Sequence, residues 1–209
     1  MSESAEKAIE IAEKITELYE TNRLIDYKPY EYQQRFHSAK DMGGKLARQR
    51  LLMAANKTGK TFCGAIEMAY HLTGRYPAWW NGATFNRPIT AWAAGNTTGN
   101  TRDIVQTELL GEAGDEEEFG KGAIPKQYIV GTPQRLPGVP NAIQSLSVKH
   151  VSGKNSKLIF KSYEQGKMQW MGKAVDVTWL DEEPPQDIYS QTLRAALKSG
   201  GIGYMTFTP

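Results

Sequence analysis

The stretch "RQRLLMAANKTGKTFCGAIEMAY", residues 48–70, restricts the possible folds of this chain more than any other. An apolar run, a short loop ending Gly59-Lys60-Thr61 and a segment of helical period follow one another without a break. The run "RQRLLMAA" predicts a buried strand, and Phe62, Ile66, Ala69 and Tyr70 recur at the spacing of a helix over 60–73. A loop between a strand and a helix brings its backbone N–H groups and the positive end of the helix onto one point, where a phosphate can be held. The matching pattern, G-x-x-x-x-G-K-[ST], needs glycine where the backbone approaches phosphate oxygens, lysine for the β- and γ-phosphates and a hydroxyl for Mg²⁺. Ala54-Ala55-Asn56-Lys57-Thr58-Gly59-Lys60-Thr61 meets it everywhere but at the first position, where Ala54 stands in place of glycine. The bland alternative is a coincidental Gly-Lys-Thr in a loop, and the strand and helix on either side argue against it.

A loop of this kind binds; hydrolysis needs an acid carried by a second strand. "AVDVTWLDEEPP", residues 174–185, supplies one, with Val177 and Leu180 among the apolar residues that lead into Asp181, Glu182 and Glu183. In P-loop enzymes the acid that ends the strand orders the metal shell, and a following glutamate takes a proton from the attacking water. Asp181 is therefore assigned to Mg²⁺ together with Thr61, Glu182 to the base, and Lys60 to the terminal phosphates. The same acids also suit a helix N-terminus begun by Pro184-Pro185, and both readings can hold at once.

Around these two segments the chain alternates strands and helices. Residues 4–22 carry Ala8, Ile11, Ile15 and Leu18 at helical spacing among charges, an amphipathic helix expected to pack on the main core. "PYEYQQRFHSAK" predicts a second short helix, "ITAWAAG" a strand, and "TRDIVQTELLG" a helix with a threonine cap. Residues 112–140, rich in Gly, Pro and acid, read as an irregular insertion whose "GDEEEFGKG" is a solvated run. "SLSVKHV" and "SKLIFKSY" alternate like a hairpin, "DVTWLDEE" is a buried strand, "DIYSQTLRAALKS" a helix and "IGYMTFTP" a final strand. This order predicts an α/β fold with a mainly parallel central sheet flanked by helices.

Two flanking features agree with nucleotide chemistry. Gln33 can present its amide to the N6 and N7 edge of adenine, and Tyr30 or Tyr32 can stack on the base. Thr206 and Thr208 in "MTFTP" occupy alternate strand positions, from which small hydroxyls can hydrogen-bond the acidic strand. Threonine is also simply a good strand former.

In this order, "PYEYQQRFH", "AANKTGKT", "GKAVDVTWLDEEPP" and "YMTFTP" resemble the ATPase domain of the large terminase subunit of tailed bacteriophages, the DNA-packaging motor. The resemblance covers essentially the whole chain and implies a P-loop NTPase fold of the additional-strand type. It implies one motor domain over 1–209, with 1–45 a helical, lid-like segment, and ATP and Mg²⁺ as ligands. Gln33 would then sit at adenine, Asn56, Lys57, Thr58, Gly59, Lys60 and Thr61 around the phosphates, Asp181 at magnesium, Glu182 as base, and Thr206 to Thr208 would couple hydrolysis to movement. It further implies double-stranded DNA, a portal protein and a small terminase subunit as partners, a ring as the working assembly, and the cytoplasm of an infected bacterial host. Many members carry an arginine inside the phosphate loop; here Asn56-Lys57 stands there, so that role falls to Lys57, Arg50 or a neighbouring subunit. Such terminases continue into a nuclease domain, which would begin where this chain stops at Pro209.

Composition sets outer limits. With 40% hydrophobic residues the 209-residue chain can bury a real core, and its formal charge of +2 marks no general affinity for nucleic acid. One cysteine, Cys63, excludes an internal disulfide framework, and the absence of both a signal-like N-terminus and any apolar run near the roughly 20 residues needed to cross a bilayer predicts an intracellular protein with no membrane partner. His37, His71 and His150 lack metal-ligand spacing, and the five tryptophans read first as core. The alternatives are a DExx-type helicase motor lobe, which would need a second lobe, and a nucleotide-binding switch, which would have no use for Glu182.

Overall fold

The computed structural model describes residues 3–115 and 117–209. Among these, seven strands form one sheet: β1 (Gln49–Met53), β2 (Thr90–Gly95), β3 (Ile129–Arg135), β4 (Ile143–Lys149), β5 (Asn155–Ser162), β6 (Val177–Asp181) and β7 (Ile202–Phe207). The order across the sheet is β1-β7-β6-β2-β5-β4-β3. Strands β1, β7, β6, β2 and β5 are parallel, whereas β4 and β3 continue the sheet antiparallel. The strand that carries the phosphate loop and the strand that ends in acids are thus separated by one added strand, β7. Parallel strands end at a common edge, so the loop after Met53, the acids at Asp181 and the threonines after Met205 are gathered there, where α/β sheets bind ligands.

Helices cover both faces. On one lies α4 (Lys60–Thr73), entered through Gly59 and left through Gly74, both in the left-handed region. All its residues from Cys63 to Thr73 are buried, including the polar Glu67, His71 and Thr73. It is sandwiched between the sheet and a shell formed by α2 (Arg23–Asp26), α3 (Glu31–His37) and the aromatic 76–85 loop. On the other face α7 (Gln186–Ser199) buries Ile188, Ala195 and Ala196 over a second cluster built on Trp92, Trp170 and Leu180. Trp92, Trp170 and Trp179 are fully buried, in keeping with their reading as core.

Several expectations are corrected by topology. β1 is an edge strand whose residues alternate, so Arg50 and Leu52 point inward while Leu51 and Met53 remain exposed. The helix α1 (Glu3–Thr21) forms as predicted, but Ile11 and Ile15 are exposed rather than packed on the core; Leu18 lies outside the described side chains. The 112–140 segment is not wholly irregular, because β3 takes up its end at the far sheet edge, where Pro133 costs no ladder bond to a further strand. The helix expected from Thr101 starts earlier: Thr97 caps α5 (Thr98–Asn100) by accepting from the Asn100 N–H at 3.1 Å. A π-helical turn (Thr101–Gln106) and α6 (Thr107–Leu110) follow. Among the described residues no helix is long and apolar enough to cross a membrane.

Candidate active site

The phosphate loop runs from the end of β1 into α4. Lys57 and Gly59 both hold positive φ, 61° and 82°, the reversals that fold residues 55–59 back over the start of the helix. Gly59 accepts this at little cost, whereas Lys57 is a non-glycine residue held in a sparsely populated conformation. The first N–H groups of α4 have no intrahelical partner and face this loop. Lys60, buried, folds its ammonium back to donate to the Ala55 carbonyl at 2.8 Å, and the Thr58 hydroxyl donates to the same carbonyl at 2.8 Å. The loop is therefore closed on itself around a lysine that lies at its centre.

Helix α3 is fastened to this loop. The Tyr32 hydroxyl donates to the Thr58 carbonyl, and the Gln33 amide donates to the Gly59 carbonyl at 3.2 Å. The other end of the Gln33 amide accepts from the Tyr30 N–H at 2.9 Å, so in this arrangement both ends of the side chain are engaged within the chain. Tyr30 is 68% exposed and stacks on Tyr32 at 6.0 Å. Beside them opens a cavity of about 500 Å³ lined by Arg23, Lys28, Tyr30, Gln33, Gly59 and Phe62 among others. It adjoins the phosphate loop and is of the size small-molecule sites have.

The acidic side is built on β6 and β7. Thr206, fully buried, donates its hydroxyl to Asp181 Oδ1 at 2.6 Å and accepts from the Trp179 indole N–H at 2.8 Å. Burial pushes the Asp181 carboxyl up to about 6; the Thr206 hydrogen bond opposes this, the Glu182 charge adds to it, and the Thr61 hydroxyl and Lys60 oppose it. That set of influences places Thr61, Lys60, Asp181 and Glu182 in one electrostatic neighbourhood, although they come from α4 and β6. Glu182 is half-buried and has φ 65°, a left-handed conformation unusual for a glutamate. Two bonds hold it: its N–H donates to the Thr206 carbonyl at 2.8 Å, and its carbonyl accepts from the Tyr163 hydroxyl at 3.1 Å. Tyr163 also donates to the Asp181 carbonyl at 2.9 Å. Glu183, in contrast, is exposed and lines an open groove with Asn96, Glu164 and Gln186.

Thr208 lies just beyond β7, and its hydroxyl bonds the Asn56 side-chain oxygen at 3.0 Å. The two threonines thus reach in different directions along the site, one to the acid strand and the other to the phosphate loop.

The donors present suit a hard cation. Asp181 and Thr61 offer a carboxylate and a hydroxyl, and among the described residues no group of three or more His, Cys, Asp or Glu is arranged to hold a metal ion by itself. Mg²⁺ is commonly held in this way, by one or two protein oxygens with phosphate oxygens and water completing the shell.

Residues 51–209 match the family model described as "Terminase large subunit, T4likevirus-type, N-terminal". The chain belongs to the terminase large-subunit family. It is 35% identical over 226 aligned positions to the terminase large subunit of Salmonella phage P22, covering 99% of this chain and 44% of that protein. Its fold is that of the large terminase from the thermophilic bacteriophage D6E, with a TM-score of 0.58 at 16% identity over 87% of this chain and 40% of that one. The D6E terminase solved in complex with ADP gives a TM-score of 0.56 at 16% identity, over 85% and 38% of the two chains. This chain therefore spans less than half the length of the terminases it matches.

Some contacts in this terminase domain were not foreseen. Arg50 is not available as a cation for the phosphates, because its guanidinium is buried in a double contact with Glu67 and lies over the rings of Phe36 and Tyr204 at 5.1 and 5.6 Å. Glu67 also bonds His37 at 2.7 Å and His71 at 3.3 Å. Burial disfavours the Glu67 charge, but Arg50 and the two histidines overcome it and hold the carboxyl well below the usual range. The only local trace of this network is the four-residue spacing of Glu67 and His71. Tyr163 lies in none of the motif segments, Trp179 stands in the acid-strand motif with no role assigned to it there beyond core packing, and Cys63 is a buried thiol pushed up by its surroundings rather than a nucleophile.

Proposed function

We propose that this chain is the Mg²⁺-dependent ATPase of a large terminase subunit and that its hydrolysis powers movement of viral double-stranded DNA into a procapsid. The observation that carries this reading is the position of β7 between the phosphate-loop strand and the acid strand, with Thr206 on Asp181 and Thr208 on Asn56. A strand bonded to both halves of the site moves when either half moves. The structure of the D6E terminase in complex with ADP supports nucleotide binding by the same fold.

In this reading the loop 54–61 and the first turn of α4 bind the phosphates, and Lys60 exchanges the Ala55 carbonyl for phosphate oxygens. Tyr30 and Gln33 border the space for the base. Thr61 and Asp181 would hold Mg²⁺, which would neutralise charge on the phosphates. Glu182, pinned beside Asp181 by Tyr163 and Thr206, accepts the proton of the attacking water. With Arg50 locked into the core, the charge-stabilising cation is Lys57 or a residue of a neighbouring subunit. Residues 1–45 act as a lid-like segment through the bonds of α3 to the loop. A portal protein, a small terminase subunit and a ring of large subunits complete the assembly, working in the cytoplasm of the infected host.

The binding half of this reading is tested by calorimetry with ATP and Mg²⁺ on Lys60→Ala. The variant is expected to stay folded and lose measurable affinity, since it removes the side-chain cation at the centre of the loop. Wild-type affinity in a folded variant would overturn the assignment of the loop.

A further inference from the structure

The indole of Trp179, to which the acid-strand motif assigns no role, stands in a contact chain that leads to Asp181. Its N–H donates to the Thr206 hydroxyl at 2.8 Å, and that hydroxyl donates to Asp181 Oδ1 at 2.6 Å. The indole nitrogen can only donate, and a threonine hydroxyl has a single proton. Once Thr206 accepts from the indole, its own proton is committed to the carboxylate. Thr206 and Trp179 are both fully buried, so the hydroxyl is oriented by protein groups rather than solvent.

The same indole touches the phosphate-loop helix. A Cβ built at Gly64, one turn into α4, would fall 2.7 Å from both Nε1 and Cε2 of Trp179. Gly64 is also fixed from its other side, because its carbonyl accepts from the Tyr204 hydroxyl at 2.8 Å. Trp179 and Tyr204 are register partners on β6 and β7, with their rings stacked at 6.3 Å. The absence of a side chain at Gly64 therefore lets the indole lie directly on α4, with no slack between the helix that carries Lys60 and the bond that orients Asp181.

We propose that Trp179 is a positioning residue of the site, which fixes the Thr206 hydroxyl on Asp181 and, through its contact with Gly64, ties the orientation of that carboxylate to the position of the phosphate-loop helix. The inference deepens the proposed function and rests on its assignment of Asp181 and Thr206. Trp179 touches neither nucleotide nor water in this scheme; it acts through Thr206.

The first arm of the test does not depend on hydrolysis. In ¹⁵N-indole NMR spectra Trp179→Phe identifies the Trp179 N–H, and Thr206→Val is expected to shift that resonance and speed its hydrogen exchange by at least tenfold. An indole resonance unmoved by Thr206→Val overturns the proposal, whatever the fate of the ATPase assignment. The second arm is kinetic. Trp179→Phe keeps an aromatic ring and removes the N–H, so kcat is expected to fall about threefold to tenfold, the scale of one hydrogen bond, with KM for ATP within about twofold. In a Thr206→Val background the same change is expected to cost nothing further, since its path to Asp181 is already cut. A loss that repeats in full on top of Thr206→Val would show that the ring acts by packing alone and overturn the proposal. Gly64→Ala, which pushes on the indole from the helix side, is expected to lower kcat in the same direction; unchanged kcat there would break the link to α4. If the wild-type protein hydrolyses no ATP, the proposed function fails, and the NMR arm still decides this one.

Discussion

Thr208 Oγ1 lies 3.0 Å from Asn56 Oδ1, joining the residue after the last strand to the phosphate loop across 152 residues of sequence. Two residues earlier the same strand bonds Asp181. The end of β7 is a bridge between the loop proposed to bind phosphates and the strand that ends in Asp181.

Thr208→Val removes the bridge at its loop end. Because the bond is solvent-exposed, thermal unfolding is expected to change little, by less than about 1 kcal/mol. ATP affinity is expected to stay within about threefold, while DNA-stimulated turnover falls more than basal turnover. Stopped-flow phosphate release with and without duplex DNA checks this, and equal loss in both conditions would count against a coupling role.

Tyr163→Phe removes the hydroxyl that holds the carbonyls of Asp181 and Glu182. Leaving buried acceptors without their donor costs about 1–3 kcal/mol, and the left-handed Glu182 loses one of its two restraints. Stability measured by urea unfolding is expected to fall within that range, and kcat by about tenfold, with nucleotide affinity unchanged.

Glu67→Gln is expected to be the most destabilising of these changes, by about 3–5 kcal/mol, because it leaves the Arg50 guanidinium buried without a counter-charge. The pH dependence has a definite sign. The Glu67 carboxyl in the folded protein lies well below its ordinary value of 4.5, so the unfolded chain binds the proton more tightly. The stabilisation is fully present above pH 4.5 and is lost as pH falls from there through the folded-state value. Urea unfolding between pH 3 and 7 is expected to show a gap between wild type and Glu67→Gln that is constant above about pH 5 and narrows below it.

Much of the sheet and the site could be read from local pattern. The bounds of α4 follow from Gly59 and the helical run after it, and β6 follows from a continuous apolar stretch of the kind that fills a central parallel strand. What stayed hidden depends on neighbours. "LLM" in β1 is as apolar as a buried strand, yet β1 lies at the sheet edge, and nothing in its own residues says so. β3 is masked by Gly131 and Pro133, which weaken the alternation that marks a strand. The Glu67 network unites three elements, with Arg50 17 positions and His37 30 positions away along the chain. The bond of Trp179 to Thr206 is invisible in the same way, because a tryptophan in an apolar strand reads as core until its N–H has a partner.

Which of three consecutive acids does the chemistry is the central claim. The main chain of Glu182 is held next to Asp181 by Thr206 and Tyr163, whereas Glu183 lies exposed in the neighbouring groove. The most direct measurement is single-turnover phosphate release with ATP and Mg²⁺ for wild type, Glu182→Gln and Glu183→Gln. Glu182→Gln is expected to bind ATP normally and to slow the chemical step by about 10² or more, the scale of a lost general base, while Glu183→Gln stays within about threefold of wild type. A collapse of the rate in Glu183→Gln, with Glu182→Gln still active, would contradict the account.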